Sequence, residues 1–198
     1  IPDPDSAGDW CRRMGSGTEQ AGLVGLGRLR DRLNERMLEA DGMIEYTLDV
    51  DATFVEGEKR DARMSYKGLA GYMPMLGFLF EPGLCLLDEF REGNASPGAR
   101  HVVFYQGCKQ RIPSGKRIAR YRADSASWQA DLINTLEADS VIWAITADQD
   151  CAVKRLIRGI TEAMWSEPVV GCGYQIAETV HTMNQTKKAF RLMIKREV

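Results

Sequence analysis

The chain has 198 residues, of which 44% are hydrophobic and 27% are charged, and its formal net charge at pH 7 is −2. This length and composition predict a protein with a sizeable buried core, organised as one large or two small domains. The charged fraction and the lack of an apolar run of about 18 residues exclude a membrane span, a coiled-coil rod and wholesale disorder. The near-neutral charge gives no general sign of a nucleic-acid partner, so local patches must decide that question.

Cysteine and histidine usage narrows the chemistry further. The five cysteines are widely spaced without a C-x-x-C pair, which argues against a zinc ribbon or a disulfide framework and predicts reduced thiols in the cytoplasm. Only His101 and His181 are present. Two histidines argue against a His-rich metal site and against a Ser-His-Asp triad. The chain begins at Ile1 without a basic segment before an apolar one, which predicts no signal peptide and favours an excised fragment.

The first half predicts a helix followed by a three-stranded meander. Ser16 and Glu19 have the spacing of a capping box, and apolar residues at intervals of three and four from Leu23 to Met37 predict an amphipathic helix with one buried stripe. Strict alternation from 46 to 54 predicts a half-buried strand with acids on its polar side. Runs over 71–80 and 84–90, separated by Glu81-Pro82-Gly83, predict the next two strands.

The second half predicts a parallel crossover and then a hairpin. The expected elements are a helix over 98–109, a strand over 117–123 that ends at Asp124, a helix from a Ser127 cap to 138, a buried strand over 141–145 and a helix over 151–163. A helix between two such strands is typical of a β-α-β unit with parallel strands. Alternation over 174–182 and 189–196 predicts an antiparallel hairpin.

Three aspartates are the candidate catalytic residues. Asp49 and Asp51 share one strand face with Cα atoms roughly 6 to 7 Å apart, and carboxylates this close repel one another unless a cation or donors intervene. Asp124 follows a second strand, at the sheet end where α/β proteins usually bind ligands. The ordinary alternatives are an exposed polar edge for the first two acids and a loop or cap role for Asp124. If the two strands are neighbours, Asp51 and Asp124 can share a Mg²⁺ ion.

Four stretches resemble a known family: Tyr46 to Thr53 (YTLDVDAT), Gly71 to Leu76, Phe90 to Asn94, and Arg122 to Ser127. They are similar to the DDE transposases of bacterial insertion sequences, in particular the insertion sequence 1380 group, and the resemblance covers nearly the whole chain. It implies a mixed α/β, ribonuclease H-like fold in which Asp51 is the first catalytic acid and Asp124 the second. Asp49 is the less favoured first acid.

The resemblance also implies a reaction and its requirements. A full-length enzyme of this family would cut the ends of its element and join the freed 3′-hydroxyls to target DNA, using two Mg²⁺ or Mn²⁺ ions held in part by Asp51 and Asp124. The expected partners are the element ends and target DNA, with a homodimer forming on DNA, no membrane, and a bacterial cytoplasmic, nucleoid-associated location. A third acid, a Glu on a later helix, is matched by none of Glu162, Glu178 and Glu197. The chain alone is therefore expected to be inactive.

The expected organisation has three parts. Residues 1–43 form an N-terminal entry segment and helix, 44–165 an incomplete ribonuclease H-like catalytic core, and 166–198 a hairpin that begins a C-terminal β-rich insertion.

Basic residues between 109 and 122, with no acid among them, are expected to contact DNA phosphates. The expected contacts are Lys116, Arg117, Arg120 and Arg122, and the resemblance adds Arg91 and Asn94 at the rim of the site. The ordinary alternative is a solvated face that balances nearby acids.

Two other functions fit parts of the sequence. Asp49-Val-Asp51-Ala-Thr53 matches the D-x-D-x-T signature of haloacid-dehalogenase-like phosphatases, in which the first Asp is the nucleophile and the second an acid/base. That family leads from this motif through a small flap into a parallel crossover, whereas here a meander is expected. The remaining alternative is a non-catalytic DNA-binding remnant of a transposase, for which the missing Glu is the main argument.

Overall fold

The computed structural model describes residues 3–15, 20–167, 171 and 173–197. Ser16 and Glu19, the predicted capping box, lie outside the described residues. The α-helices are α1 (Pro4–Met14), α2 (Ala21–Ala40), α3 (His101–Lys109), α4 (Ala130–Ala138) and α5 (Cys151–Arg158). The strands are β1 (Glu45–Ala52), β2 (Val55–Glu56), β3 (Arg63–Met64), β4 (Ala70–Tyr72), β5 (Met75–Leu79), β6 (Leu84–Glu89), β7 (Arg117–Ala123), β8 (Ile142–Ile145), β9 (Tyr174–His181) and β10 (Phe190–Glu197). Short 3-10 turns cover Ser125–Ser127 and Glu162–Met164.

A mixed five-stranded sheet is the centre of the fold, with the strand order β6-β5-β1-β7-β8. β1 pairs antiparallel with β5, which pairs antiparallel with β6, whereas β1, β7 and β8 run parallel. The predicted meander and the predicted parallel crossover are both confirmed. This mixed α/β architecture is the predicted fold class and is compatible with a ribonuclease H-like core.

The meander is secured by the turn between β5 and β6. Gly83 has a φ of +65°, a conformation that glycine adopts without a steric penalty. The Glu81 carboxylate accepts hydrogen bonds from the backbone N–H of Thr47 at 2.8 Å and from its hydroxyl at 2.7 Å. The turn is therefore tied back to the neighbouring central strand.

The predicted strand over 71–80 is two strands rather than one. Pro74 separates β4 from β5, since proline has no N–H to donate to a sheet. β4 pairs with β2 and β3 in a separate three-stranded sheet of order β2-β4-β3, which we call the small sheet. β5 remains in the main sheet.

The main core lies on one face of the central sheet. Leu48, Met75 and Leu79 of the sheet are fully buried against Leu132 and Leu136 of α4 and against α2 and α3. Helix α3 approaches the sheet closely at Gly77, where a Cβ would lie 2.9 Å from the Cys108 sulfur. A second cluster, comprising Trp128, Ile133, Val153, Leu192 and Ile194, joins the β9–β10 hairpin to α4 and α5.

The opposite face of the central sheet carries the candidate site and is largely exposed. Its side chains include Asp49, Asp51, Phe78, Arg120 and Arg122. The prediction of a buried strand over 141–145 is wrong, because β8 is the edge strand and Ile142 on this face is 74% exposed.

Helix α2 is confirmed as a helix, but its predicted buried stripe is wrong. Leu23, Leu26, Leu29, Leu33 and Met37 are exposed, and the buried residues are Asn34 and Leu38. Polar contacts with edge strand β6 set this rotation: the Asn34 amide donates to the Cys85 carbonyl at 2.7 Å, and Arg30 pairs with Asp88. Hydrophobic periodicity predicted the helix correctly and its buried face incorrectly.

The remaining predictions shift at their boundaries. The strand over 117–123 has the predicted limits. In the hairpin, three of the four strand limits differ from the prediction by one residue. Ser127 is not the cap of α4, which begins three residues later, because Ser127 lies in the 3-10 turn after Asp124. α3 begins at His101 and α5 ends at Arg158, so both helices are shorter than predicted.

Within the described ranges, no helix combines the length and the apolar character that crossing a bilayer requires. The domain limits at 43/44 and 165/166 stay a prediction.

The rotation of α2 gives the first testable expectation. Leu38→Ala should lower the free energy of unfolding by about 2 to 5 kcal/mol, because Leu38 is 0% exposed and its loss leaves a cavity. Leu33→Ala is the matched control on the same helix. It should cost less than about 0.5 kcal/mol, since Leu33 is 51% exposed. Urea unfolding followed by circular dichroism measures both, and a larger loss for Leu33→Ala would contradict this rotation of the helix.

Candidate functional site

Two of the predicted acids follow the last paired residues of adjacent parallel strands. The β1–β7 register ends with Val50 opposite Ala123, so Asp51 and Asp124 are the next residues on each strand. Both side chains are exposed, and they line one open groove together with Asp49 and Arg122. The expectation that the two strands are neighbours is confirmed.

Asp51 is held by a local contact. Its Oδ2 accepts a hydrogen bond from the Thr53 hydroxyl at 2.6 Å. The Thr53 N–H in turn donates to the Pro74 carbonyl at 3.0 Å, which fixes the backbone where β1 ends. The carboxylate is therefore oriented, and no cationic side chain pairs with it within the part of the chain that the structure describes.

Asp124 caps the 3-10 turn that follows β7. Its Oδ1 accepts a hydrogen bond from the Ala126 N–H at 3.0 Å. Within the part of the chain that the structure describes, Oδ2 receives no hydrogen bond. Asp124 therefore has the capping role that the sequence analysis gave as its ordinary alternative. This role uses one carboxylate oxygen and leaves the other available to a ligand.

Asp49 is neutralised by Arg122, its register partner on β7. The guanidinium donates to both carboxylate oxygens at 2.6 Å, in a bidentate arrangement. The hydrogen bond that Arg122 donates to Asp49 raises the pKa of the Arg122 guanidinium. Arg122 also lies 4.3 Å from the ring centroid of Phe80. Asp49 is therefore paired with a cation, whereas Asp51 accepts a hydrogen bond from a neutral hydroxyl.

The predicted basic run does not form one patch. Lys116 precedes β7 and Arg117 begins it, roughly 20 Å by strand rise from Asp124. Lys116 donates to the Asp41 carbonyl at 2.6 Å, and Arg117 pairs with Glu45, which lowers the pKa of that acid. Arg120 lies between the two ends of the strand on the site's face of the sheet. It is exposed, and no ion pair to it is found among the described side chains.

Arg91 and Asn94 occupy different environments. Arg91 is only 6% exposed, and it donates to the carbonyls of Met73 at 2.7 Å, Ala99 at 3.2 Å and Ser96 at 3.3 Å. Burial lowers the pKa of its guanidinium. The expectation of a phosphate contact at the rim is therefore corrected for Arg91, which holds a turn together. Asn94 is exposed in that turn.

Three residues that were not predicted to support the site, Ser127, His101 and Gln129, secure the turn after Asp124. The Ser127 Oγ lies 3.0 Å from His101 Nδ1, and His101 Nε2 lies 3.0 Å from the Pro97 carbonyl. The carbonyl can only accept, so Nε2 is the donor and Nδ1 accepts from Ser127. Gln129 donates to the carbonyls of Gly98 and Ala126. These contacts fix the Asp124 turn to the loop before α3, and no local sequence signal marks them.

No third acid joins the pair in the described part of the chain, where no group of three or more Asp, Glu, His or Cys side chains could hold a metal. Two of the later glutamates have other partners. Glu162 pairs with Arg196 and Glu178 with Arg191, both at 2.7 Å.

Comparisons with known proteins find similarity only at the level of distant solved structures. No family model and no curated protein matches the chain. Among solved structures, the chain is similar to a cryo-EM structure of the piggyBac transposase synaptic complex with hairpin DNA, at a TM-score of 0.42 and 8% sequence identity. The match covers 74% of this chain and 32% of that one, so the chain spans about a third of the protein it resembles. A similarity at this level carries no argument about the site.

The buried His101 predicts a dependence of stability on pH. Burial lowers the pKa of His101 below its ordinary value of 6.5. As the pH falls below 6.5, His101 becomes protonated in the unfolded chain while it stays neutral in the folded chain. Protonation therefore favours the unfolded state, and the free energy of unfolding decreases. We expect a lower urea midpoint at about pH 5.5 than at about pH 7.5, and a smaller difference in His101→Gln.

This pH range separates the histidine from the acids. The pKa values of Glu45 and Glu162 are lowered by hydrogen bonds from Arg117 and Arg196, so their contribution to stability is lost only below their ordinary value of 4.5. An identical midpoint shift in the wild type and His101→Gln would show that His101 does not cause it.

Proposed function

We propose that the chain is part of a metal-dependent enzyme that cuts and joins DNA, of the DDE transposase type. The observation that carries the proposal is the position of Asp51 and Asp124, which directly follow the last register pair of two adjacent parallel strands in a mixed sheet. The resemblance of the sequence around these two acids supports the same assignment. The whole enzyme would act on the ends of its element and on target DNA, as a homodimer.

The two acids fit a hard divalent cation such as Mg²⁺ or Mn²⁺. Such ions prefer oxygen ligands and are often held by one or two carboxylates, with water and substrate oxygens completing the coordination. Asp51 and Asp124 are exposed, and neither is paired with a cation among the described residues. When bound, the ions would stabilise negative charge on the attacking and leaving oxygens of a phosphodiester. We propose that a further acid of the whole protein completes the site.

The basic residues of β7 would position the DNA backbone. Arg120 lies on the same face as the acids and forms no ion pair among the described residues, although Glu45 and Glu81 are near enough to act on its charge. We propose it as the phosphate contact on this face. Arg122 holds Asp49 and packs on Phe80, which keeps its guanidinium at the groove. Contacts of this kind bind DNA without reading its sequence.

The phosphatase alternative has less support than the transposase proposal. It requires Asp49 as a nucleophile, whereas both oxygens of Asp49 accept hydrogen bonds from Arg122. β1 is also followed by the small sheet and an antiparallel strand instead of a parallel crossover. The other alternative is a non-catalytic, DNA-binding remnant of a transposase. Metal binding and DNA cleavage by the whole protein would overturn it.

Metal binding tests the assignment of the two acids. Asp51→Asn and Asp124→Asn should each weaken Mn²⁺ binding by about tenfold or more, because each replaces a charged oxygen ligand. Asp49→Asn is the matched control, since it removes the same charge from a residue that Arg122 already holds. It should change the affinity by less than about threefold. Isothermal titration calorimetry with MnCl₂ measures the affinity of all three variants. If Asp49→Asn weakened Mn²⁺ binding more than Asp51→Asn, Asp49 and not Asp51 would be the first metal ligand.

DNA binding tests the role of β7. The chain should bind duplex DNA weakly and without sequence preference, with an affinity that falls steeply as salt rises. Arg120→Gln should lower the affinity and reduce the slope of log K against log salt by about one, the value for one lost phosphate contact. Arg117→Gln, the control, should have little effect because Arg117 pairs with Glu45 at the far end of the strand. Fluorescence anisotropy at several salt concentrations would detect either outcome, and equal losses in both variants would contradict the assignment.

A further inference from the structure

Strand β8 forms an open edge of the main sheet. The Thr146 N–H, directly after β8, donates to the Ala123 carbonyl of β7 at 3.2 Å. Successive residues of a strand direct their N–H and C=O groups to alternate sides, so those of Trp143 and Ile145 point away from β7. In the described part of the chain, no strand pairs with that side of β8. The edge therefore offers donors and acceptors to a further strand.

A groove runs between this edge and β10. Residues 140–147 line one side, residues 188–193 line the other, and the two segments advance in the same direction. No backbone hydrogen bond joins them within the ranges that the structure describes. The rings of Trp143 and Phe190 meet in a T-shaped contact, with centroids 5.1 Å apart, which holds β10 beside β8. We call the space between the two segments the β8 groove.

Apolar side chains are exposed on both sides of the β8 groove. Ile142 of β8 is 74% exposed, and Met193 of β10 is 55% exposed. Edge strands usually carry charged side chains or proline that discourage pairing with another chain. The sequence of β8, Ile-Trp-Ala-Ile, contains neither. Strand β8 therefore lacks the features that prevent the addition of a strand.

The rim of the β8 groove is basic. Lys188 lines the groove and Lys187 precedes it, and neither forms an ion pair among the described side chains. The Lys187 N–H donates to Asn134 of α4 at 2.8 Å, which fixes the backbone that carries both lysines. Glu137, the one acid among the described residues that line the groove, accepts a hydrogen bond from Trp143 Nε1 at 2.9 Å. A partner with acidic side chains is therefore complementary in charge.

A polypeptide fits this edge better than DNA does. An extended peptide supplies both N–H and C=O groups at the spacing of β8, whereas a phosphodiester backbone only accepts hydrogen bonds. The addition of an extended segment to an open sheet edge is also a recurring mode of peptide recognition.

We propose that the β8 groove binds an extended segment of a partner protein, in which acidic and aliphatic residues alternate, as an additional strand on β8. The backbone of the segment pairs with Trp143 and Ile145. Its aliphatic side chains contact Ile142, and its acidic side chains reach Lys187 and Lys188. This inference goes beyond the proposed function and does not depend on it.

Peptide binding tests the proposal. The probes are two fluorescein-labelled octapeptides in which valine alternates with glutamate or with lysine. The 198-residue chain should bind the Glu–Val peptide about tenfold more tightly than the Lys–Val peptide, because several surface charge contacts change from attraction to repulsion. Fluorescence anisotropy measures both affinities.

A second pair of peptides tests strand addition. Glu–Val peptides that are N-methylated at alternate residues lack either the N–H groups that face β8 or those that face away from it. One of the two should bind about tenfold or more weakly than the unmodified peptide, and the other should stay within about threefold. The protein is unchanged in this comparison, so misfolding cannot cause the difference.

A variant of the groove tests the charge complementarity. Lys187→Glu combined with Lys188→Glu should reverse the preference, so that the Lys–Val peptide binds more tightly. Lys59→Glu combined with Lys67→Glu is the matched control, because both lysines are exposed in turns of the small sheet. It makes the same change in net charge and should keep the preference for the Glu–Val peptide. Circular dichroism establishes that each variant is folded.

The outcomes separate this inference from its alternatives. Equal affinity for the two charged peptides, no binding of either, or equal binding of the two N-methylated peptides would overturn it. If sedimentation showed a dimer of the chain that excludes the Glu–Val peptide, the β8 groove would be an interface between two copies and the inference would be wrong. If the double lysine variant lost duplex DNA binding while neither peptide bound, the groove would be a nucleic-acid surface. The Mn²⁺ and Arg120 experiments test the proposed function whichever result is obtained here.

Discussion

The parallel pairing of β1 with β7 is the constraint on which the candidate site depends. A shift of one residue would turn each side chain to the other face, so that Asp51 and Asp124 could no longer share one side of the sheet. Leu48 and Tyr121, which pair across these strands, are fully buried in the main core and oppose such a shift. The Asp49–Arg122 pair is partly exposed, and ion pairs at the surface contribute little to stability because solvent screens them. The buried core therefore sets the register of β1 and β7. The ion pair fixes the positions of the Asp49 and Arg122 side chains on the exposed face.

The three aspartates show how one sheet end gives identical side chains different chemistry. Asp49 is compensated by a cation, Asp51 accepts from a hydroxyl, and Asp124 accepts from a backbone N–H. Only the last two keep their charge without a cationic partner among the described residues, so they are the pair suited to a metal. Behind Asp124, His101 and Ser127 form a buried network, and buried hydrogen bonds of this kind hold a unique geometry because leaving one unmade is costly.

Much of the fold is predictable because its signals are local. Alternation identified β1 and the hairpin, and the Pro-Gly turn identified the meander, since each depends on residues a few positions apart. The buried face of α2 depends instead on contacts with β6, and the exposure of Ile142 depends on β8 being an edge strand. The adjacency of Asp51 and Asp124 follows from strand order. The partners Asp49 and Arg122, 73 residues apart, follow from register, and no sequence pattern in a single chain reports register.

The same distinction explains why charge counting misplaced part of the expected DNA surface. Lys116, Arg117, Arg120 and Arg122 are close in sequence, but an extended strand separates its ends by roughly 20 Å, and alternate residues face opposite sides. Arg117 meets an acid at the far end, whereas Arg120 and Arg122 share the face of the aspartates. Arg91 shows the opposite case, because its charge is buried among carbonyl oxygens that shape the turn leading to Asn94. A buried guanidinium such as that of Arg91 supports a site indirectly, because it fixes the backbone of neighbouring residues. An exposed guanidinium that forms no ion pair can instead attract a ligand by its own charge. In this fold Arg91 has the first role, and Arg120, within β7 on the face of the acids, is suited to the second.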